Sequence, residues 1–245
     1  MLYDLKIDSI LFLDIETVPV VPAYSDLSEA FKALWDKKAM QIKREDDQTP
    51  ETLFQRAGIY AEFGRIVCIS AGFVFFEKKV PHFRLKSFYN AEERDLLVEF
   101  ATLLNKFGSK KGSMLCAHNG KEFDFPYIAR RMLVNGVKLP SLLDVAGKKP
   151  WEVSFLDTME LWKFGDYKHY TSLNMLANLF GIPTPKDDID GSMVAQVYYQ
   201  NNDIDRIARY CEKDVITIAQ LFRRYRNEDT IPDDCIERID SELKW

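Results

Sequence analysis

Apolar positions cluster into short runs early in the chain and into three- and four-residue spacings later, so strands come first and helices follow. Residues Ile7–Leu13 alternate little and predict a buried strand that ends at the acidic pair Asp14 and Glu16. A polar, Lys/Asp-rich stretch from about Ala23 to Ala61 follows. Its spacing of Phe31, Leu34 and Trp35, then Leu53 and Phe54, predicts two surface helices with a mobile link at Glu45–Pro50. Arg65–Phe76 and His82–Tyr89 read as two strands joined by the turn-like Glu77–Pro81. Asn90 with Glu93 three residues on is a capping-box signal for a helix through Phe107, stopped by Gly108. Met114–Ala117 is a short apolar strand, and Pro126 and Gly136 bracket the next helix.

The second half is mostly helical. Thr171 or Ser172 can cap a helix that stops at Gly181, with Pro183 beyond it. Gly191–Tyr199 reads as helical, and Asp203 can cap a long helix reaching about Arg226. Its apolar stripe runs through Ile204, Ile207, Ala208, Cys211, Val215, Ile218 and Phe222 at good helical spacing. The order of elements predicts an α/β fold: a mixed sheet covered by helices, in one domain.

Composition narrows the class. Of 245 residues, 47% are apolar and 29% charged, enough for one large core and too ordinary for disorder. The longest apolar runs, such as Ile69–Phe76, are far shorter than the ~20 residues of a membrane span. Asp4, Asp8 and Asp14 interrupt the pattern a signal peptide needs, so a cytoplasmic protein is expected. Cys68, Cys116, Cys211 and Cys235 are widely separated and form no CxxC pair, which suits a reducing compartment. Net charge is -5, from 33 Lys+Arg against 38 Asp+Glu, which gives no support to binding a polyanion by bulk electrostatics. A polyanion partner would need a local basic surface or bound metal ions.

Three constellations carry candidate chemistry. Asp14 and Glu16 lie two apart on a strand, so both carboxylates project to one face while Ile15 faces the core. Like charges held that close favour a shared cation, and oxygen ligands suit Mg²⁺ or Mn²⁺. Next, the loop His118–Tyr127 delivers Asp124 to a helix start amid Asn119, Phe123 and Tyr127. Aromatic rings beside a carboxylate suit a stacked base next to a metal-bound phosphate. Last, Tyr210 and Asp214 lie one helical turn apart on a flank of the apolar stripe. Each alone also fits a simpler role: a solvated strand end, a helix cap, a boundary tyrosine with a surface acid.

In this order and context, the three motifs resemble the DEDDy 3′–5′ exonucleases of the DnaQ-like, RNase H-like superfamily. The likeness is closest to the proofreading domain of family B DNA polymerases. Asp14-Ile15-Glu16-Thr17 matches the first motif of that family. Asn119 followed by Phe123-Asp124-Phe125-Pro126-Tyr127 matches the second, and Tyr210-Cys211-Glu212-Lys213-Asp214 the third. The resemblance covers about residues 8 to 225, with no polymerase module in the sequence.

The resemblance implies an RNase H-like fold and two divalent cations, Mg²⁺ or Mn²⁺, held by Asp14, Glu16, Asp124 and Asp214 around a terminal phosphodiester. It implies release of nucleoside 5′-monophosphates from single-stranded 3′ ends, DNA favoured over RNA. Tyr210 would orient the attacking water, since a phenol with an ordinary pKa of about 10 is a poor base. A sister subclass has His five residues before the last Asp; here that position is Arg209, and His82, His118 and His169 all lie elsewhere. Thr17 and Asn119 would contact the terminal nucleotide, and Phe123 and Tyr127 would stack on bases or pack in the core. Asp157-Thr158 reads as a helix cap or as support for the acidic site. Lys148-Lys149, Lys163, Lys168 and Arg130-Arg131 could line a strand-binding groove or simply be solvated. The segment of about residues 23–61 exceeds the family core and could be a lid, a clamp or a partner surface. Two rival readings stay open: an exoribonuclease of the RNase D branch, and a catalytically silent module that binds nucleic-acid ends.

Overall fold

The computed structural model describes residues 2–43, 45–166, 170–183 and 189–239. Its strands are β1 (Ile10–Pro19), β2 (Gly64–Glu77), β3 (Val80–Phe88), β4 (Met114–Ala117), β5 (Phe155–Asp157) and β6 (Ile236–Arg238). They form one mixed sheet in the order β5-β4-β1-β2-β3-β6. Helices α1 (Glu29–Ile42) and α2 (Pro50–Leu53) precede β2. Helices α3 (Glu93–Gly108), α4 (Asp124–Val134), α5 (Thr158–Lys163), α6 (Leu173–Leu179), α7 (Val194–Gln196) and α8 (Ile204–Tyr225) follow β3.

The near-continuous apolar run of β1 reflects helices on both faces of the sheet. Leu11, Leu13 and Ile15 pack with Leu96, Phe100 and Ile128 of α3 and α4. Ile10 and Phe12 point the other way, onto Val215, Ile218 and Phe222 of α8. The rings of Phe12 and Phe222 meet edge-on at 5.6 Å. Asp14 and Glu16 continue the parity of Phe12, so the sheet delivers both carboxylates to the α8 side.

Four sequence expectations need correction. First, β1 does not stop at Leu13. It runs on to Pro19 because the long β2 pairs with it as far as Gly64, so the acidic pair sits within the strand. The register shifts between Glu16 and Thr17, leaving Val67 of β2 as the extra residue of a bulge. Second, the β2–β3 turn is tighter than expected. Only Lys78 and Lys79 turn it, at φ 48° and 73°, as a two-residue hairpin requires.

Third, the capping box at α3 does not form. The N-cap is Glu92, and Glu93 turns inward to accept hydrogen bonds from Ile66 N–H at 2.7 Å and Arg131 Nε at 2.9 Å. Fourth, Gly191–Tyr199 is not one α-helix: after α7 it widens into a π turn over Val197–Asn201. Two later helices begin where capping residues predict, with Ser172 accepting from Met175 N–H and Asp203 from Arg206 N–H.

The segment between β1 and β2 is more than two surface helices. Trp35 is fully buried, meets Phe54 and Phe63 edge-on at 5.4 and 5.1 Å, and donates Nε1–H to the Pro50 carbonyl at 2.7 Å. With Leu27, Ala39, Leu53 and Ala57 it builds a small core of its own.

Candidate active site

The site follows from the shortness of β4. It pairs with β1 only at Ile10, Leu11 and Phe12, after which the two parallel strands part. Crevices outside the carboxyl ends of parallel strands are where α/β sheets hold ligands. Here the loop leaving β4 turns through Asn119, at φ 62°, and starts α4 at Asp124. The backbone N–H groups of Asp124 itself and of Ile15 lie near enough to the Asp124 carboxylate to favour its charged form.

From below, α8 brings Asp214 close enough to repel the other three carboxylates. Glu16 and Asp124 are 7% and 3% exposed, whereas Asp14 opens partly to the crevice. Burial, then repulsion from Asp124, Glu16 and Asp214, holds the Asp14 carboxyl well above its usual range. Burial and the Asp214 charge do the same to Glu16. Asp124 is pushed up to about 7, mainly by burial, with Asp157 and Asp214 adding to it and the two backbone N–H groups opposing.

Such a cluster calls for cations, and the donor atoms can be tested for fit. Asp124 Oδ1 is buried with no hydrogen-bond partner. Ligand atoms of Asp14, Glu16 and Cys211 lie within 4.8 Å of one another. The Cys211 thiol donates to the backbone oxygen and to Oδ2 of Asp14, each at 3.4 Å, and burial raises its pKa. It is a protonated donor, which leaves a hard, all-oxygen set suited to Mg²⁺ or Mn²⁺. The residues fit.

Asp157 organises the loop. Buried at the end of β5, it accepts Asn119 N–H at 2.9 Å and Lys121 N–H at 3.1 Å while capping α5 through Met159 N–H at 2.9 Å. It is both the cap and the support that its sequence context allowed. His118 is structural: its two ring nitrogens bond Thr158 Oγ1 and the Thr171 carbonyl, each at 2.9 Å. Burial keeps the imidazole below its usual pKa, so the ring stays neutral.

The remaining sequence candidates divide. Tyr210 and Asp214 are half-buried on the flank of the α8 stripe, as their spacing predicts. Asn119 keeps a buried Oδ1 without a partner. Phe123 is half-buried against the ring of Tyr127 at 5.4 Å.

Tyr127 itself is 2% exposed and donates its hydroxyl to the Gly58 carbonyl at 2.7 Å, so its ring is core and meets no base. Thr17, the residue after Glu16 at the bulge, lies near that hydroxyl. Gly58 and Gly64 make room for this junction. A Cβ at Gly64 would lie 2.2 Å from the Tyr127 hydroxyl.

Of the basic groups, Arg131 is buried in an ion pair with Glu93 and lines no groove; Arg130, Lys148 and Lys149 are exposed and Lys163 is half-buried. Lys168 and His169 lie outside the described residues.

This architecture has known counterparts. A family described as predicted 3′–5′ exonucleases related to the exonuclease domain of PolB matches residues 59–233. The chain belongs to that family. The matched segment of the exonuclease family holds Asp124 and Asp214; the strand bearing Asp14 and Glu16 precedes it and joins them through the sheet.

A DNA polymerase of Pyrococcus glycovorans is 24% identical over 195 residues, covering 71% of this chain and 24% of that protein. The solved family B DNA polymerase of the hyperthermophilic archaeon Pyrobaculum calidifontis superposes with a TM-score of 0.50 at 14% identity. That match covers 88% of this chain and 24% of the polymerase, and it shows a shared fold. The chain therefore spans about a quarter of the length of the relatives it matches. Among the described residues, no helix is long and apolar enough to cross a membrane.

Proposed function

We propose that this chain is a metal-dependent 3′–5′ exonuclease that removes nucleoside 5′-monophosphates from single-stranded DNA. The observation that carries the reading is the convergence of Asp14, Glu16, Asp124 and Asp214 on one crevice. Four carboxylates held together, two of them buried and two half-buried, are costly, and binding two Mg²⁺ or Mn²⁺ ions offsets that cost. When bound, such ions supply Lewis-acid charge to the scissile phosphate and make water nucleophilic at neutral pH.

The chain's own residues do the rest. Asp14 and Glu16 present their oxygens from one strand face, Asp124 from the helix start and Asp214 from below. Tyr210, one turn before Asp214, offers a hydroxyl that orients the attacking water in line with the leaving 3′-oxygen. Thr17 sits at the bulge beside Glu16 and contacts the terminal nucleotide. Asn119 and the half-buried Phe123 border the crevice and contact the departing nucleotide.

The test is degradation of a 5′-labelled single-stranded DNA oligomer with Mg²⁺ or Mn²⁺, beside EDTA, an Asp14→Ala variant and a matched RNA. Shortening from the 3′ end that vanishes in EDTA and in the variant supports the reading. Degradation of RNA alone would move the substrate to RNA. Binding without turnover, in folded protein, would overturn the enzymatic role.

A further inference from the structure

A second cavity, of about 460 Å³, opens where β1 ends, and nothing in the acidic cluster explains it. Its walls come from three places: Pro19 and Pro22 at the end of β1 and just beyond it, Gln55 from the segment between β1 and β2, and Ser192, Ala195, Gln196, Tyr199 and Gln200 from α7, the residues before it and the π turn. Pro19 follows Glu16 by three residues, about 10 Å along an extended strand. The cavity therefore opens within the length of a nucleotide or two of the acidic pair along β1.

The chemistry of the walls excludes most ligands. The cavity has no Lys, Arg, His, Asp or Glu in its lining, so it holds no phosphate and no cation. Tyr199 is the one titratable group there. Its hydroxyl is committed to the Pro19 carbonyl at 2.5 Å, and burial pushes its pKa up to about 12, so it too stays neutral. What remains is a lining about as polar as it is apolar: two prolines, Ala195 and a tyrosine ring, beside the Ser192 hydroxyl and three carboxamides. Gln55, Gln196 and Gln200 are exposed and make no internal hydrogen bond among the described residues.

A carboxamide carries a donor and an acceptor side by side, the pattern that pairs with the edge of a purine. Pockets of a few hundred Å³ that combine apolar surfaces with polar groups suit a ligand of nucleotide size.

The local backbone is built for this. The π turn is a costly departure from the α-helix that recurs at functional sites. Here it brings Tyr199 under Pro19 and leaves Gln196 and Gln200, four residues apart, on one side of the opening.

We infer that this cavity is a nucleobase subsite. It accepts the base of one of the last three nucleotides of the substrate strand, with the three glutamines favouring adenine through paired amide hydrogen bonds. The inference rests on the exonuclease reading and extends it: the acidic cluster handles phosphate, and the neutral cavity reads the base. It also gives the segment between β1 and β2 a task, since Gln55 belongs to it.

The experiment compares the full chain with Gln55→Ala and with the double variant Gln196→Ala/Gln200→Ala. The substrates are 5′-labelled oligomers that differ only in carrying adenine, thymine or an abasic site at each of the last three positions. Turnover is read with Mn²⁺, and binding is read by fluorescence anisotropy with Ca²⁺ in its place. All three side chains are exposed, so folding is not at stake.

At one position, adenine should lower KM and Kd about tenfold against the abasic oligomer, the discrimination of one good amide–base pair. The double variant should lose that preference, with the change falling on KM rather than kcat. Equal KM and Kd for all bases in the unmodified chain, with normal degradation, would overturn the subsite and leave the exonuclease intact. A base preference that both variants retain would also overturn it. Base-dependent binding without turnover would keep the subsite and sink the exonuclease, and an absence of both binding and turnover would sink the two together.

Discussion

Asp157 accepts the backbone N–H of Asn119 at 2.9 Å, which ties the end of β5 to the loop that carries Asp124. Removing this carboxylate leaves the N–H groups of Asn119 and Lys121 unpaired and uncaps α5. Asp157→Ala should therefore cost about 2–4 kcal/mol of stability, the range for charge-assisted bonds lost at a buried site. It should also slow turnover by about 10²-fold, because a displacement near 1 Å of Asp124 carries that penalty. Thermal denaturation and single-turnover degradation, well below the melting temperature, measure both. Unchanged turnover in the destabilised variant would show that the tie does not position Asp124.

The junction of Tyr127, Gly58 and Gly64 should behave as a coupled unit. Tyr127→Phe loses a buried hydrogen bond, at about 1 kcal/mol, while the ring keeps its packing. Gly64→Ala drives a methyl against the same hydroxyl and against the Gly58 carbonyl, an overpacking that costs about 1–3 kcal/mol. Combining them removes the first clash, so the double variant should be more stable than the sum by about 1 kcal/mol. Denaturant titrations of the four proteins give the answer, and strict additivity would contradict the contact.

Acidity sets a sign that can be checked without any substrate. The Asp124 carboxyl holds its proton up to about pH 7 in the folded chain, whereas an unfolded Asp releases it near ~4. Between those values the folded state binds more protons, so this group's contribution to stability falls as pH rises toward 7. A divalent cation competes with that proton and binds more tightly once it has gone. The rise in melting temperature on exchanging EDTA for Mn²⁺ should therefore be larger at pH 8 than at pH 5.5. A larger rise at pH 5.5 would rule out this linkage.

Asp124→Asn should separate activity from stability. At pH 8 in EDTA the amide removes the repulsion among Asp14, Asp124 and Asp214 while keeping an oxygen near the backbone N–H groups. The variant should melt higher than the unmodified chain and degrade nothing measurable, a stability gained where a binding site is lost. Melting curves in EDTA decide this; a lower melting point would mean that the acids are not strained together.

Much of this was legible in the residues. The two-residue spacing of Asp14 and Glu16 placed them on one face, and the capping signals at Ser172 and Asp203 marked two helix starts. What stayed hidden depended on distant partners. Arg130 and Arg131 look alike in the chain, yet Arg131 is buried because Glu93, thirty-eight residues earlier, turns inward to meet it. Tyr127 reads equally as a stacking ring or a core ring until Gly58 supplies an acceptor for its hydroxyl. The true end of β1 depends on the length of β2, which no local pattern near Asp14 reveals.

The early end of β4 has one more consequence. A strand whose amides lack a partner invites any passing chain to add itself, which is how sheets seed aggregates. At Ile15 that invitation is blunted by Asp124, whose carboxylate lies beside the amide. The residue that prepares the crevice for cations also guards an interior seam of the sheet. A replacement without an acceptor, such as Leu, would therefore expose that seam to self-association, a cost of a different kind from lost turnover.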